Sequence, residues 1–88
     1  MDRATRLKRL HFRSHHRGTR EADMLVGGFF DSHGATWNDA EMTLFEELLE
    51  EQDVDIMAWA MGTLVPPARY EGSILAALTT LSYVAVAE

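Results

Sequence analysis

The 88-residue chain has no cysteine. That excludes disulfides, thiolate zinc sites and cysteine nucleophiles together, and it fits a reducing compartment. No run of about 18 apolar residues occurs, so no segment is expected to insert in a membrane. The apolar C-terminal stretch from Ile74 to Ala87 is too short and is broken by Thr79, Thr80 and Ser82. The N-terminus lacks the apolar segment of a secretory signal. It is Arg-rich and acid-poor in the manner of a mitochondrial presequence, but the most distinctive stretch starts about ten residues in, so no removable leader is expected. Basic residues are scarce after position 20: Arg69 is the single one, against thirteen acids. Residues 1–20 hold the other seven Lys/Arg and a single acid, Asp2. A net charge of −6 therefore conceals a basic beginning and an acidic remainder. The basic part could touch nucleic acid, an acidic protein surface or the acidic remainder of the chain itself. That acidic remainder would repel a phosphate backbone, so nucleic acid is not expected as a partner.

What is present reads as helix. The length indicates one domain, 1–88, whose modest core holds net stability to roughly 3–5 kcal/mol without staples or a partner. A first helix is expected from about Arg3 to His16, with Ala4, Leu7, Leu10 and Ser14 facing inward. Arg13, His15, His16 and Arg17 complement its negative C-terminus, and Gly18 stops it by taking φ > 0. A second helix starts near Thr19 with Glu21 and Asp23 in its first turn and Leu25, Val26, Phe29 and Phe30 on its apolar face. Gly27-Gly28 is expected to kink it or admit a close helix approach. Asp31 to Gly34 reads as a loop.

The third helix has the clearest start. Asn38 is an N-cap, Glu41 has capping-box spacing and Trp37 can staple onto Met42. Met42, Phe45, Leu48 and Leu49 are expected in the core, with Glu46, Glu47, Glu50 and Glu51 facing water. Asp53 is expected to cap a short fourth helix that buries Met57, Trp59 and Met61 and ends at Gly62. After Pro66-Pro67, a fifth helix starts near Pro67 or Ala68 with Tyr70, Ile74, Leu78 and Leu81 in one stripe. The fold class is all-α: a single small bundle of about five short helices.

No catalytic constellation emerges. The acidic pairs Glu46/Glu47, Glu50/Glu51 and Asp53/Asp55 read as a solvated face rather than a cleft with separated acidities. Ser14 and His15 are adjacent and point apart on a helix. Gly27 and Gly28 follow no strand and make no phosphate loop. His11 and His15 lie one turn apart with His16 beside them, but a site still needs third and fourth ligands in reach and the surroundings are cationic, so no metal is expected. The remaining feature is the corner Arg17-Gly18-Thr19-Arg20-Glu21-Ala22-Asp23. It reads as a presented surface on which Arg17 and Glu21 project to the same side, or as a plain helix corner with a surface ion pair worth at most about 1 kcal/mol.

These residues carry a resemblance. Leu10-His11-Phe12-Arg13-Ser14, then Arg17-Gly18-Thr19-Arg20-Glu21-Ala22-Asp23, then Leu25, Gly27 and Phe29 resemble the SdhE family of succinate dehydrogenase assembly factors, which carry an Arg-Gly-x-x-Glu signature. Asn38-Asp39-Ala40-Glu41, Phe45-Glu46-Glu47-Leu48-Leu49 and Asp53-Val54-Asp55-Ile56-Met57-Ala58-Trp59 continue it, over roughly residues 6–80. Val54 stands where the family commonly has proline, and Gly34-Ala35-Thr36-Trp37 replaces the usual linker. The last residues, 84–88, match nothing in the family.

The resemblance implies a five-helix bundle that binds the flavoprotein subunit of succinate dehydrogenase, with that of fumarate reductase as a second candidate client. It implies an assembly factor and not an enzyme. The partner carries the FAD and supplies the histidine that attacks the flavin 8α-methyl, and no cofactor is assigned to this chain, with direct contact to the FAD left open. Arg17, Gly18 and Glu21 would be the docking residues, with Arg13, Arg20 and Asp23 at the rim. A bacterial cytoplasmic location is the corresponding expectation. Two other classes are distinguishable by experiment: a nucleic-acid-binding or adaptor domain using the basic first helix, and a metal-dependent protein using His11, His15 and His16.

Overall fold

The computed structural model describes residues 2–80, which form five α-helices and two single 3₁₀ turns. The fifth-helix position expected for Leu81, and residues 84–88, lie outside the described residues. Helix α1, Arg3–His15, starts at Asp2, whose carboxylate accepts from the Thr5 amide at 2.7 Å. Leu10 and Ser14 are fully buried, and the Ser14 hydroxyl is satisfied by donating to the His11 carbonyl. Ala4, expected inside, is exposed. Arg3 covers that end of the core instead, donating to the carbonyls of Trp37 and Ala35 at 2.8 and 2.9 Å.

Helix α2, Arg20–His33, buries Ala22, Leu25, Val26, Phe29 and Phe30. It returns antiparallel to α1: His15 lies against Gly27, while His11, a turn earlier, lies against Phe30 and Asp31. The two central glycines do not interrupt it. Gly27 serves close approach: a Cβ there would stand 2.5 Å from His15 Nδ1. The expected loop at Asp31–Gly34 is absent as well. The helix continues to His33 because the Gly34 amide still donates to the Phe30 carbonyl, and a 3₁₀ turn, Gly34–Thr36, follows.

Helix α3, Asp39–Leu48, shows the capping box in full. Asn38 accepts from the Glu41 amide at 2.8 Å, and Glu41 accepts from the Asn38 amide at 3.0 Å. Its inward residues Met42, Phe45 and Leu48 join Phe29, Phe30 and Trp37 in the core. Trp37 and Phe45 have ring centroids 4.7 Å apart. Aromatic pairs at this separation add about 0.5–1.5 kcal/mol beyond area burial.

Helix α4, Asp53–Met61, is preceded by Gln52, which makes no side-chain cap. Asp53, expected as the cap, is the first helical residue, and its carboxylate is engaged elsewhere. Gly62 ends the helix at φ +76°, as its position indicates. Met61, expected in the core, is 56% exposed, because Ile56, Trp59 and Ala60 make the buried side. A 3₁₀ turn, Ala68–Tyr70, and helix α5, Ser73–Thr79, replace the continuous fifth helix expected from Pro67. Gly72 at φ +133° separates the two. Tyr70, Ile74 and Leu78 are buried, with Trp59 and Tyr70 rings 5.7 Å apart.

Charge organises the outside of this core. Arg6 binds Glu46 at 2.8 Å and the Thr43 hydroxyl at 2.7 Å, Arg13 binds Glu50, and Arg17 binds Asp53 at 2.7 Å. The partners rise in number together, so α1 runs parallel to the path from α3 into α4. Arg69 pairs with Glu51. Of the glutamates expected to face water, Glu46 and Glu50 therefore hold the basic helix onto the acidic half, Glu51 binds Arg69 and Tyr70, and Glu47 and Glu50 remain exposed. The Arg6 guanidinium beside Glu46 keeps that carboxyl below its usual range.

Candidate functional site

The corner between α1 and α2 is assembled by backbone geometry and two inward-turned charges. His16 follows α1, its ring stacked on Phe12 at 4.1 Å and bonded to the Phe12 carbonyl at 2.7 Å. Gly18 then takes φ +110°, a conformation that L side chains rarely adopt. Thr19 caps α2, its hydroxyl accepting from the Ala22 amide at 3.2 Å. Asp23 reaches back to accept from the Arg17 amide.

The six residues singled out in the sequence separate into two groups. Arg17 is 11% exposed at its side chain and turns inward. Its Nε donates to Asp53, and its terminal nitrogen donates to the Glu51 carbonyl at 3.2 Å. It does not project with Glu21, because the carboxylate at the start of α4 captures it. Asp23 is likewise occupied within the corner. Arg13 lies at the edge, paired with Glu50. Gly18, Arg20 and Glu21 are exposed, and neither the Arg20 nor the Glu21 side chain makes a hydrogen bond or ion pair among the described residues. A Cβ built on Gly18 meets nothing within 4 Å, so the space above the corner is open.

Beside the corner lies an apolar groove of about 420 Å³ lined by Thr19, Asp53, Val54, Met57, Met61 and Thr63. Val54 is 68% exposed, and Leu64 and Val65 are exposed nearby in sequence. Sequence reasoning placed Met57 and Met61 in the core; Met57 is half-buried against it, Met61 is exposed, and the groove between them was missed. The available signal was their i, i+4 spacing on a stripe offset from Ile56 and Ala60, so that both stripes cannot face inward.

The remaining expectations concern cations. Arg3, Arg6, Arg13 and Arg17 are bonded within the chain, which leaves Lys8, Arg9 and Arg20 as the basic residues among 2–20 without a hydrogen bond to described residues. The first helix therefore presents no dense phosphate-binding face. His16 is directed at its own helix, but His11 and His15 converge on Asp31, a residue that the sequence reading left in a loop.

These features define a small all-α protein with an exposed glycine corner backed by a buried arginine clamp. Residues 8–82 match the family described as flavinator of succinate dehydrogenase, and the chain belongs to that family. It is 42% identical over 64 residues to the FAD assembly factor SdhE of Acetobacter pasteurianus, covering 73% of this chain and 59% of that protein. It is 35% identical over 74 residues to the mitochondrial succinate dehydrogenase assembly factor 2 of Cryptococcus neoformans, covering 84% and 42%. With the protein of the same description from Mycosarcoma maydis it shares 37% identity over 71 residues, covering 81% and 30%. The chain thus spans about three-fifths or less of the length of these relatives. No solved structure matches it significantly. Among the described residues, no helix is long and apolar enough to cross a membrane.

Proposed function

We propose that this protein is an assembly factor that binds the flavoprotein subunit of succinate dehydrogenase and promotes covalent attachment of FAD to a histidine of that subunit. The observation that carries the reading is the match to the flavinator family through nearly all described residues, with the Arg-Gly-x-x-Glu stretch at an exposed corner. Gly18, Arg20 and Glu21 form the contact surface. The missing Cβ of Gly18 lets the partner's backbone approach, and the two unpaired charges supply hydrogen bonds to it. Arg17 and Asp23 hold that surface in shape from behind. Arg13 stands at the rim, and the adjoining groove with Val54 and Met61 supplies apolar contact area.

The chemistry belongs to the partner, which carries both the flavin and the nucleophile. What this chain contributes is positioning, and fixed geometry between reacting groups can lower a barrier by several kcal/mol, up to about 7–11 in favourable intramolecular cases. No cofactor is assigned to this chain. The flavoprotein of fumarate reductase is a proposed second client, and the bacterial cytoplasm is the proposed compartment, a reading supported by the Acetobacter relative.

The test is to produce the flavoprotein subunit with and without this chain, denature it and read covalent flavin fluorescence in the gel band. Wild type raises the signal; Glu21→Ala and Arg20→Ala lower it without changing the melting temperature, since both side chains are exposed and unpaired. Arg17→Ala lowers it too, but also destabilises the fold by about 2 kcal/mol, the scale for losing charge-assisted hydrogen bonds, or roughly 10 °C in Tm for a domain of this size. Equal signal in every lane, with no co-purifying complex, refutes the proposal. Repeating the assay with the fumarate reductase subunit decides the second client.

A further inference from the structure

We propose that His11, His15 and Asp31 form a binding site for a divalent late transition-metal cation, with Zn²⁺ as the diagnostic ion. His11 and His15 stand one turn apart on α1 with ring centroids 4.3 Å apart. Asp31, in the last turn of the antiparallel α2, reaches across to both. Its Oδ1 lies 3.0 Å from His15 Nε2 and 3.8 Å from His11 Nε2. One ligand atom from each of the three residues falls within 4.8 Å of the others. Around a tetrahedral zinc, ligand atoms about 2.0–2.2 Å from the ion stand roughly 3.3–3.6 Å from one another. The two separations from Asp31 bracket that range, and the third pair lies within 4.8 Å, so side-chain shifts on the order of 1 Å complete the set.

The histidines are also held for it. The His15 imidazole occupies the space where Gly27 would carry a Cβ, with Nδ1 and Cε1 only 2.5 and 2.7 Å from that position. This wedges the ring between α1 and α2 with its Nε2 on Asp31. His11 meets the Phe30 ring edge-on at 6.0 Å. Two imidazoles and one carboxylate, with a fourth position open to water, form a donor set suited to zinc and unsuited to Mg²⁺ or Ca²⁺, which demand oxygen ligands. Lys8 borders the adjoining cavity with Leu7, His11, Phe30, Asp31 and Ala35, and its flexible ammonium can swing into solvent. None of the three ligands belongs to the docking corner, so the inference stands apart from the proposed function. A bound ion would stitch the two helices together behind that corner.

The experiment uses the full chain without a histidine tag, titrated with ZnCl₂ by calorimetry and followed in thermal melts, with MgCl₂ as the parallel arm. One zinc per chain and a rise in Tm are expected, with no response to magnesium. His11→Ala and Asp31→Asn each weaken binding by about tenfold or more, the scale on which even outer partners of a metal ligand act, while His16→Ala leaves it unchanged. His11 is exposed, so its replacement spares the core, and far-UV circular dichroism verifies the fold of each variant. Absence of heat and of a Tm shift at about 1 mM Zn²⁺, where only binding with a Kd weaker than about 1 mM would escape, overturns the site. So does equal affinity in wild type and His11→Ala.

Discussion

Tyr70 shows how much one side chain contributes near the surface of a small core. It is 1% exposed, and its hydroxyl donates to the Glu51 carboxylate, which also holds Arg69. Burial first, and the Glu51 carboxylate second, push the phenol up to about 12. The fold therefore favours the neutral hydroxyl, and the associated stability is complete below the ordinary phenol value near 10. It is lost as pH rises from about 10 through about 12, an amount on the order of 2–3 kcal/mol. Urea midpoints measured between about pH 8 and 11.5 should fall over that window in wild type and stay flatter in Tyr70→Phe. An equal alkaline fall in both proteins would show that the loss arises elsewhere. The two halves of the signature also part at this scale: Arg17 is structural first, and Glu21 is the free group.

At the scale of elements, α3 is the helix whose start depends most on a local device. Replacing Asn38 by Ala removes the acceptor for the Glu41 amide and should cost about 1 kcal/mol, within the 0.5–2 range for such caps. Differential scanning calorimetry should show a Tm lower by roughly 4–8 °C, and an unchanged Tm would mean that tertiary packing alone sets this helix. Devices of this kind were legible in the sequence because all their parts lie within a few residues. Asn38 with Glu41, Gly62 as a left-handed terminator, and the apolar stripe of α2 all worked that way. The end of α2 was not legible: Asp31-Ser32-His33-Gly34 has loop composition, but Gly34 is there for lack of volume against the Phe30 ring, at 2.7 Å from a Cβ, and not for its freedom of φ. Asp53 misled for a related reason. It is a good capping residue by type, but a guanidinium 36 positions away in sequence takes its carboxylate.

For the whole molecule, the governing feature is the closure of a basic helix onto an acidic half. Composition left three destinations for those arginines, and only folding distinguishes them, since each pairing spans more than thirty positions. With five of its arginines bonded internally and a net charge of −6, the chain should show no retention of a fluorescent DNA duplex at about 0.15 M salt, where non-specific binders have Kd of roughly 10⁻⁴–10⁻⁶ M. Micromolar binding that falls steeply with salt would reopen the nucleic-acid class. The all-α bundle itself was readable from periodicity. The groove by Met61 and the meeting of His11, His15 and Asp31 were not, because each depends on how two helices are turned toward one another.

The buried arginine clamp has a consequence for portability. Arg17 is oriented by Asp53 and by the Glu51 carbonyl, both supplied from beyond the hairpin that carries the signature. A synthetic peptide of residues 13–24, or the same twelve residues grafted onto another helical hairpin, would copy the letters and lose the shape. An inhibitor or transplant built on this corner has to bring the start of α4 with it.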